Sequence, residues 1–179
     1  MIGLYLRIFL YTGGLFALID LAAGQALAPG SGPLDSAIKG LAFGFVMSAL
    51  LGTIHALKVR ALAGEERAGD IYATRQIREV ETGLSPDRAF VLLGHYLKDV
   101  RKFRIIELNQ EAGRIKAGTP WTIRAFGCRV LVEILKRENG AALVRITSKP
   151  ALPLTLADYG ENFSIASETA AFLRGSGQA

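Results

Sequence analysis

Two ionic residues stand deep inside apolar stretches of this chain, Asp20 within Leu4–Ala28, whose only other charge is Arg7 near its start, and Lys39 within Ser36–Leu57. A charge at membrane depth is costly, and the chemistry it would suggest first is a proton or ion relay. A relay needs a chain of ionisable groups, and two helices supply too few. Counted from a turn near Gly32, the two residues differ in depth by about 7 Å at 1.5 Å per helical residue, a gap the lysine stem partly spans. They are therefore expected to pair with each other or with polar groups of another subunit. His55 lies near the end of the second stretch, three residues from Gly52. A histidine there is a candidate axial ligand for a haem or chlorophyll-type pigment, against the plainer role of an interfacial side chain. No other cofactor is expected.

Beyond the apolar stretches the chemistry is sparse. His95 has no partner assignable from sequence. Cys128 would need a neighbouring base to act as a nucleophile, and a lone cysteine on a strand is more often a small buried apolar residue. One cysteine and two histidines give no metal-ligand spacing. There is no Gly-x-Gly-x-x-Gly, Walker loop or Gly-x-Ser-x-Gly. Asp158 and Asn162, inside Asp158-Tyr159-Gly160-Glu161-Asn162, could hold a ligand together, but Asx residues before a helix usually serve as turn and cap groups. Trp121, after Gly118-Thr119-Pro120, is either an exposed contact residue or a core residue at a strand start. No nucleophile–base set can be assembled, so the expectation is a protein that is not an enzyme.

The elements that carry these residues fall into two parts. Leu4–Ala28 and Ser36–Leu57 hold 25 and 22 residues with few charges, each long enough to cross a hydrocarbon core. Two buried helices of a soluble protein, or a cleaved leader ending at Ala26-Leu27-Ala28, fit less well: the runs are too long, and Pro29 follows the would-be cleavage site. Gly40, Gly44, Ser48, Gly52 and Ala56 recur every fourth residue, so small side chains line one face where another backbone can approach closely. Gly13, Ala17 and Gly24 form a looser counterpart. Part of this surface is expected to close the hairpin and the rest to face other integral membrane subunits.

The connection Pro29–Asp35 has no basic residue, whereas Lys58, Arg60 and Arg67 follow the second helix and Arg7 opens the first. Both termini are thus expected on the cytoplasmic side of a bacterial inner membrane. The single cysteine agrees with a reducing compartment. The net charge of +5 resides entirely from Lys58 onward, with 19 basic against 14 acidic residues. That excess suits anionic membrane lipids. Nucleic acid is not expected, because basic residues interleave with acidic ones rather than cluster with aromatics.

After a linker over 61–71, with Gly64 and Gly69 as punctuation, residues 72–174 read as a cytosolic α+β domain and 175–179 as a flexible tail. Tyr72–Thr82 reads as a strand. Ser85-Pro86-Asp87 starts a helix, with Phe90, Leu93, Leu97 and Val100 on one face. Strands follow at Phe103–Leu108, Gly113–Ala117, Trp121–Leu135 and Ala142–Ser148. Gly113 is available for a left-handed position, Gly127 marks a bend, and Asn139-Gly140 suits a type I′ hairpin. A last helix covers Phe163–Arg174, with Asn162 or Ser164 as cap. The order β-α-β-β-β-β-α implies an antiparallel sheet covered by two helices. It is similar to that of a reduced helix-grip or lipid-transfer-like domain, a likeness that would imply an apolar ligand between sheet and helices. The leading expectation is a non-enzymatic membrane subunit that scaffolds a larger complex. The alternatives are a membrane-anchored binder of lipid or another apolar ligand, and a pigment-associated subunit.

Overall fold

A computed structural model describes residues 1–27, 32–64, 70–121, 126–138 and 140–176. The chain divides into two compact units, Met1–Ala61 and Leu62–Ala179.

The first unit is helical. α1 spans Ile2–Leu27 and α2 Pro33–Ala63. At 1.5 Å per residue they are about 39 and 46 Å long, more than the roughly 30 Å of a hydrocarbon core. Ile2–Gly24 and Pro33–Ala63 both reach a mean hydropathy of 1.7, while only 17% and 22% of their most apolar windows are buried. Core helices of a soluble fold would hide such surface. Two helices long and apolar enough to cross a membrane are therefore present. α2 runs six residues past Leu57, through the Ala- and Arg-containing segment after the apolar run. The connection expected at Pro29–Asp35 falls partly outside the described residues.

The second unit is α+β. Its elements are β1 (Gln76–Thr82), α3 (Pro86–His95), β2 (Arg104–Asn109), β3 (Arg114–Gly118), β4 (Cys128–Lys136), β5 (Ala142–Pro150) and α4 (Glu161–Ser176). The five strands form one antiparallel sheet in the order β1-β5-β4-β3-β2. Alternation assigns its faces: Cys128, Val130, Val132 and Ile134 are buried, with Arg129 pointing the other way. α4 packs over β1 and β5, and α3 over β3, β4 and β5. Leu93, Leu97, Ile115, Ile146 and Leu173 are fully buried between these layers.

Several boundaries differ from expectation, each for a local reason. β1 starts at Gln76, not Tyr72, because 70–75 form a turn. The Gln76 amide donates to the carbonyls of Asp70, Ile71 and Ala73, at 3.1, 3.2 and 2.6 Å. β4 starts at Cys128, not Trp121. Residues 122–125 lie outside the described set, and positive φ at Phe126 (42°) and Gly127 (78°) breaks the extended backbone before Cys128. Ser85 caps α3 by accepting from the Arg88 N–H. Phe90, Leu93 and Leu97 face inward, but Val100 is 57% exposed. Residues Tyr96–Val100 form a π-helical turn, whose extra residue rotates Val100 off the stripe. Gly113 takes the left-handed conformation at φ 59°.

The type I′ reading of Asn139-Gly140 rests on Asn139, outside the described residues. Around it, Gly140 (φ 79°) donates to the Arg137 carbonyl and the Arg137 N–H to the Ala141 carbonyl. α4 continues through Ser176, beyond the start of the expected tail, while 177–179 are not described.

Candidate functional site

The small residues of α1 and α2 meet each other. A Cβ built on Gly40 would lie 2.6 Å from both the Ala17 Cβ and the Gly13 carbonyl oxygen. One on Gly44 would lie 2.8 Å from the Phe9 carbonyl oxygen and 2.9 Å from the Gly13 Cα. At Gly52 the obstacle is the Tyr5 ring, at 2.6 Å. Ser48 donates its hydroxyl to the Tyr5 carbonyl at 2.7 Å. Gly24 is half-buried on α1. The Gly40–Gly52 face is thus occupied by α1, and a further subunit would meet the outward faces of the hairpin.

The polar pair lies on the same seam. Lys39 Nζ is 3.3 Å from Asp20 Oδ2 and 2.7 Å from Asp35 Oδ2, while Ser36 donates to Asp20 Oδ2 at 2.8 Å. This is a closed polar cluster of two carboxylates, an ammonium and a hydroxyl, with all its members in one chain. His55 is fully buried and already engaged within the protein. A macrocycle ligated by it would have to displace packed protein.

In the α+β unit the Asp158 cluster is also inward. Asp158 is 1% and Asn162 0% exposed. Asp158 Oδ1 accepts from the Gly160 N–H at 3.2 Å. Its Oδ2 accepts from the Asn162 N–H at 3.0 Å and the Asn162 side-chain amide at 2.6 Å, and Ser148 Oγ donates to Asn162 Oδ1 at 2.6 Å. The expected cap at Asn162 or Ser164 is therefore corrected. Asp158 receives the first free N–H groups of α4, and Ser164 pairs with Glu168 instead.

Cys128 is buried nearby, and burial, with the negative charges of Glu161 and Asp158, pushes its thiol from 9.0 up to about 12. The thiolate is the nucleophile, so near pH 8 Cys128 alkylates about a thousandfold more slowly than an ordinary thiol of pKa 9. The rate climbs with pH and jumps on unfolding; fast labelling of the native chain would refute this placement. The sign for stability is fixed: an unfolded Cys128 loses its proton above 9 while the folded one keeps it. Stability from this group is therefore intact below 9 and lost as pH rises toward 12. Neither histidine pairs with this thiol on any described contact; His95 Nδ1 meets Asp99 at 2.9 Å in the open. Among the described residues no group of three or more His, Cys, Asp or Glu could hold a metal ion.

Trp121 is 68% exposed and marks a concavity of the α+β unit lined by several cations. A groove of about 910 Å³ opens at the sheet end where β1, β2 and β4 begin and β3 and β5 finish. Its lining includes Arg75, Lys102, Arg104, Lys116, Arg129 and Lys149 and, among the described residues, no Asp or Glu. Lys116 is 2.5 Å from Glu107, and its ammonium holds that carboxyl below the usual carboxylate range. Among the described residues the other five cations have no ion pair. Trp121 and Phe126 cap the groove with ring centroids 5.3 Å apart. The opposite end of this sheet face is neutralised by Glu79–Arg145 at 2.7 Å and by Glu81–Arg137.

Sequence reasoning missed these cations. Only Arg129 carried a local signal, standing between Cys128 and Val130 on an alternating strand. No protein-family model matches the chain, and no curated protein resembles it closely enough to count as a match.

Proposed function

We propose that this chain is a non-enzymatic integral membrane subunit, a helical hairpin that anchors an α+β domain and assembles with other membrane proteins. What supports it is the division of surface on the hairpin. Glycines and Ser48 bring the helices into backbone contact on the inside, while Leu6, Leu10, Leu18, Leu41, Phe45 and Leu50 are exposed apolar residues on the outside. Water tolerates so continuous an apolar surface poorly; lipid and neighbouring helices are its natural cover. Lys58 and Arg60, near the C-terminal end of α2, support by the positive-inside rule an α+β domain on the cytoplasmic side of a bacterial inner membrane. Partners would dock on the outward helix faces or on the domain, since α1 occupies the Gly40–Gly52 face.

The reading is tested on native membranes. The chain is expected to stay in the pellet through alkaline carbonate washing and to float with phosphatidylcholine vesicles. In a Cys128→Ser background, a cysteine placed at Gly32 is expected to react with an impermeant maleimide from outside intact cells, and one at Ser176 only after lysis. Release by carbonate would refute the anchor, and the reverse labelling would refute the orientation.

A further inference from the structure

The groove at the β1 end of the sheet combines features that together specify a ligand chemistry. Among the described residues, five cations without ion partners, Arg75, Lys102, Arg104, Arg129 and Lys149, share a concavity that has no acidic lining residue. Like charges lining one concavity repel one another, and an anion relieves the repulsion. Guanidinium groups from Arg75, Arg104 and Arg129 suit phosphate oxygens, which they can meet by paired N–H donors. At the rim, Trp121 and Phe126 present an exposed apolar corner. Trp is the residue favoured where a headgroup layer meets hydrocarbon, its ring apolar and its N–H wet.

Chain connectivity names the source of the anion. Arg75 immediately precedes β1, and register places Gln76 opposite Ser148, so the chain arriving from α2 enters the domain at the groove's own end. The turn at 70–75 is pinned by the Gln76 amide. Only residues 64–69 lie between α2 and that turn, a reach of at most about 22 Å. We infer that the groove binds the phosphate headgroups of anionic lipids, seating the domain on the membrane with Trp121 and Phe126 at the lipid boundary. The inference rests on the membrane reading above. A single nucleic-acid strand would need successive stacking platforms. Here the two rings pack against each other at 52°, forming one corner instead of a row.

Trp121 is the only tryptophan, so its fluorescence reports on the groove alone. The full chain is placed in phosphatidylcholine nanodiscs, and in nanodiscs with roughly one third phosphatidylglycerol. The anionic discs are expected to shift Trp121 emission to the blue and shield it from acrylamide, and raised salt to reverse both. The exposed-residue variant R104Q/R129Q/K149Q loses roughly fivefold in apparent lipid affinity per cation, on the order of 100-fold together, so its shift at this lipid content disappears. R145Q, at the other end of the sheet, keeps the shift.

Identical emission in the two discs overturns the proposal, as does an undiminished shift in the triple variant. A shift produced by glycerol phosphate in neutral discs overturns the lipid source in favour of a soluble phosphate. One produced by a single-stranded oligonucleotide overturns it in favour of nucleic acid. Failure of the chain to enter phosphatidylcholine discs at all is a different result, and it counts against the membrane anchor instead.

Discussion

Gly44→Leu forces the two helices of the hairpin apart. The first atom of any side chain at 44 meets the Phe9 carbonyl oxygen at 2.8 Å and the Gly13 Cα at 2.9 Å. Both obstacles are backbone, so no rotamer change can clear them. Overpacking of a tight contact costs about 1–3 kcal/mol, and Leu adds three carbons to an already blocked position. Separation also lengthens the Ser48–Tyr5 hydrogen bond, 2.7 Å in the native seam. In a bilayer such a bond contributes roughly 0.6 kcal/mol, so the steric term dominates.

The expected result is a loss of about 3 kcal/mol or more in hairpin stability, read as an early midpoint in denaturing-detergent titration. Gly14→Leu is the internal control, because a Cβ there meets nothing within 4 Å. It should titrate like the native chain. If the two variants behaved alike, close backbone approach would not be what holds α1 to α2.

How much of this was legible beforehand follows from the range of each signal. The hairpin seam is written locally: a period of four in small residues is a helix face by geometry alone. The order of elements in the second unit is local too, carried by alternation, by Ser85-Pro86, and by the left-handed glycine at 113. Strand starts were harder. Nothing in Tyr72–Arg75 announces that a side chain one to four residues onward will fold it into a turn, since the deciding group is the Gln76 amide. Positive φ at Phe126 carries no residue-type warning, as aromatic residues rarely adopt it.

The groove was illegible for a different reason. Its cations come from the ends of different strands, and Arg75 reaches Lys149 only because β1 pairs with β5 at the far end of the sequence. Along the chain these residues are interleaved with acids, so no segment announces a cluster of cations. The sheet sorts them, collecting the Glu79, Glu81, Arg137 and Arg145 pairs at one end and the unpaired cations at the other. Interleaved charge in an antiparallel sheet is thus compatible with a strongly polarised face once the register is known.

Asp158→Ala is expected to be the most damaging single change in the α+β unit. The carboxylate accepts from the N–H groups of Gly160 and Asn162 and from the Asn162 amide, all buried. Tyr159 and Gly160 hold positive φ, 51° and 83°, so the loop is already bent into conformations that need outside support. Alanine strands three buried donors at about 1–3 kcal/mol each, partly offset where water enters. It also frees Asn162 to turn away from Ser148, on the strand beside β1.

A net cost on the order of 3–5 kcal/mol follows, a large share of the roughly 5–15 kcal/mol that holds a domain of this kind together. Urea titration of the full chain in neutral detergent, followed by the far-ultraviolet signal of the sheet, should show the transition moved to much lower denaturant with its slope unchanged. Asp158→Asn keeps one acceptor oxygen and should lose about half as much. A ligand-binding role for Asp158 predicts the opposite ordering. A buried carboxylate retained for binding is commonly a strain on the fold, so its removal would leave stability intact or raise it while abolishing binding. Geometry favours the structural outcome because each carboxylate oxygen already accepts hydrogen bonds within the fold, and with 1% exposure no ligand reaches them without opening α4.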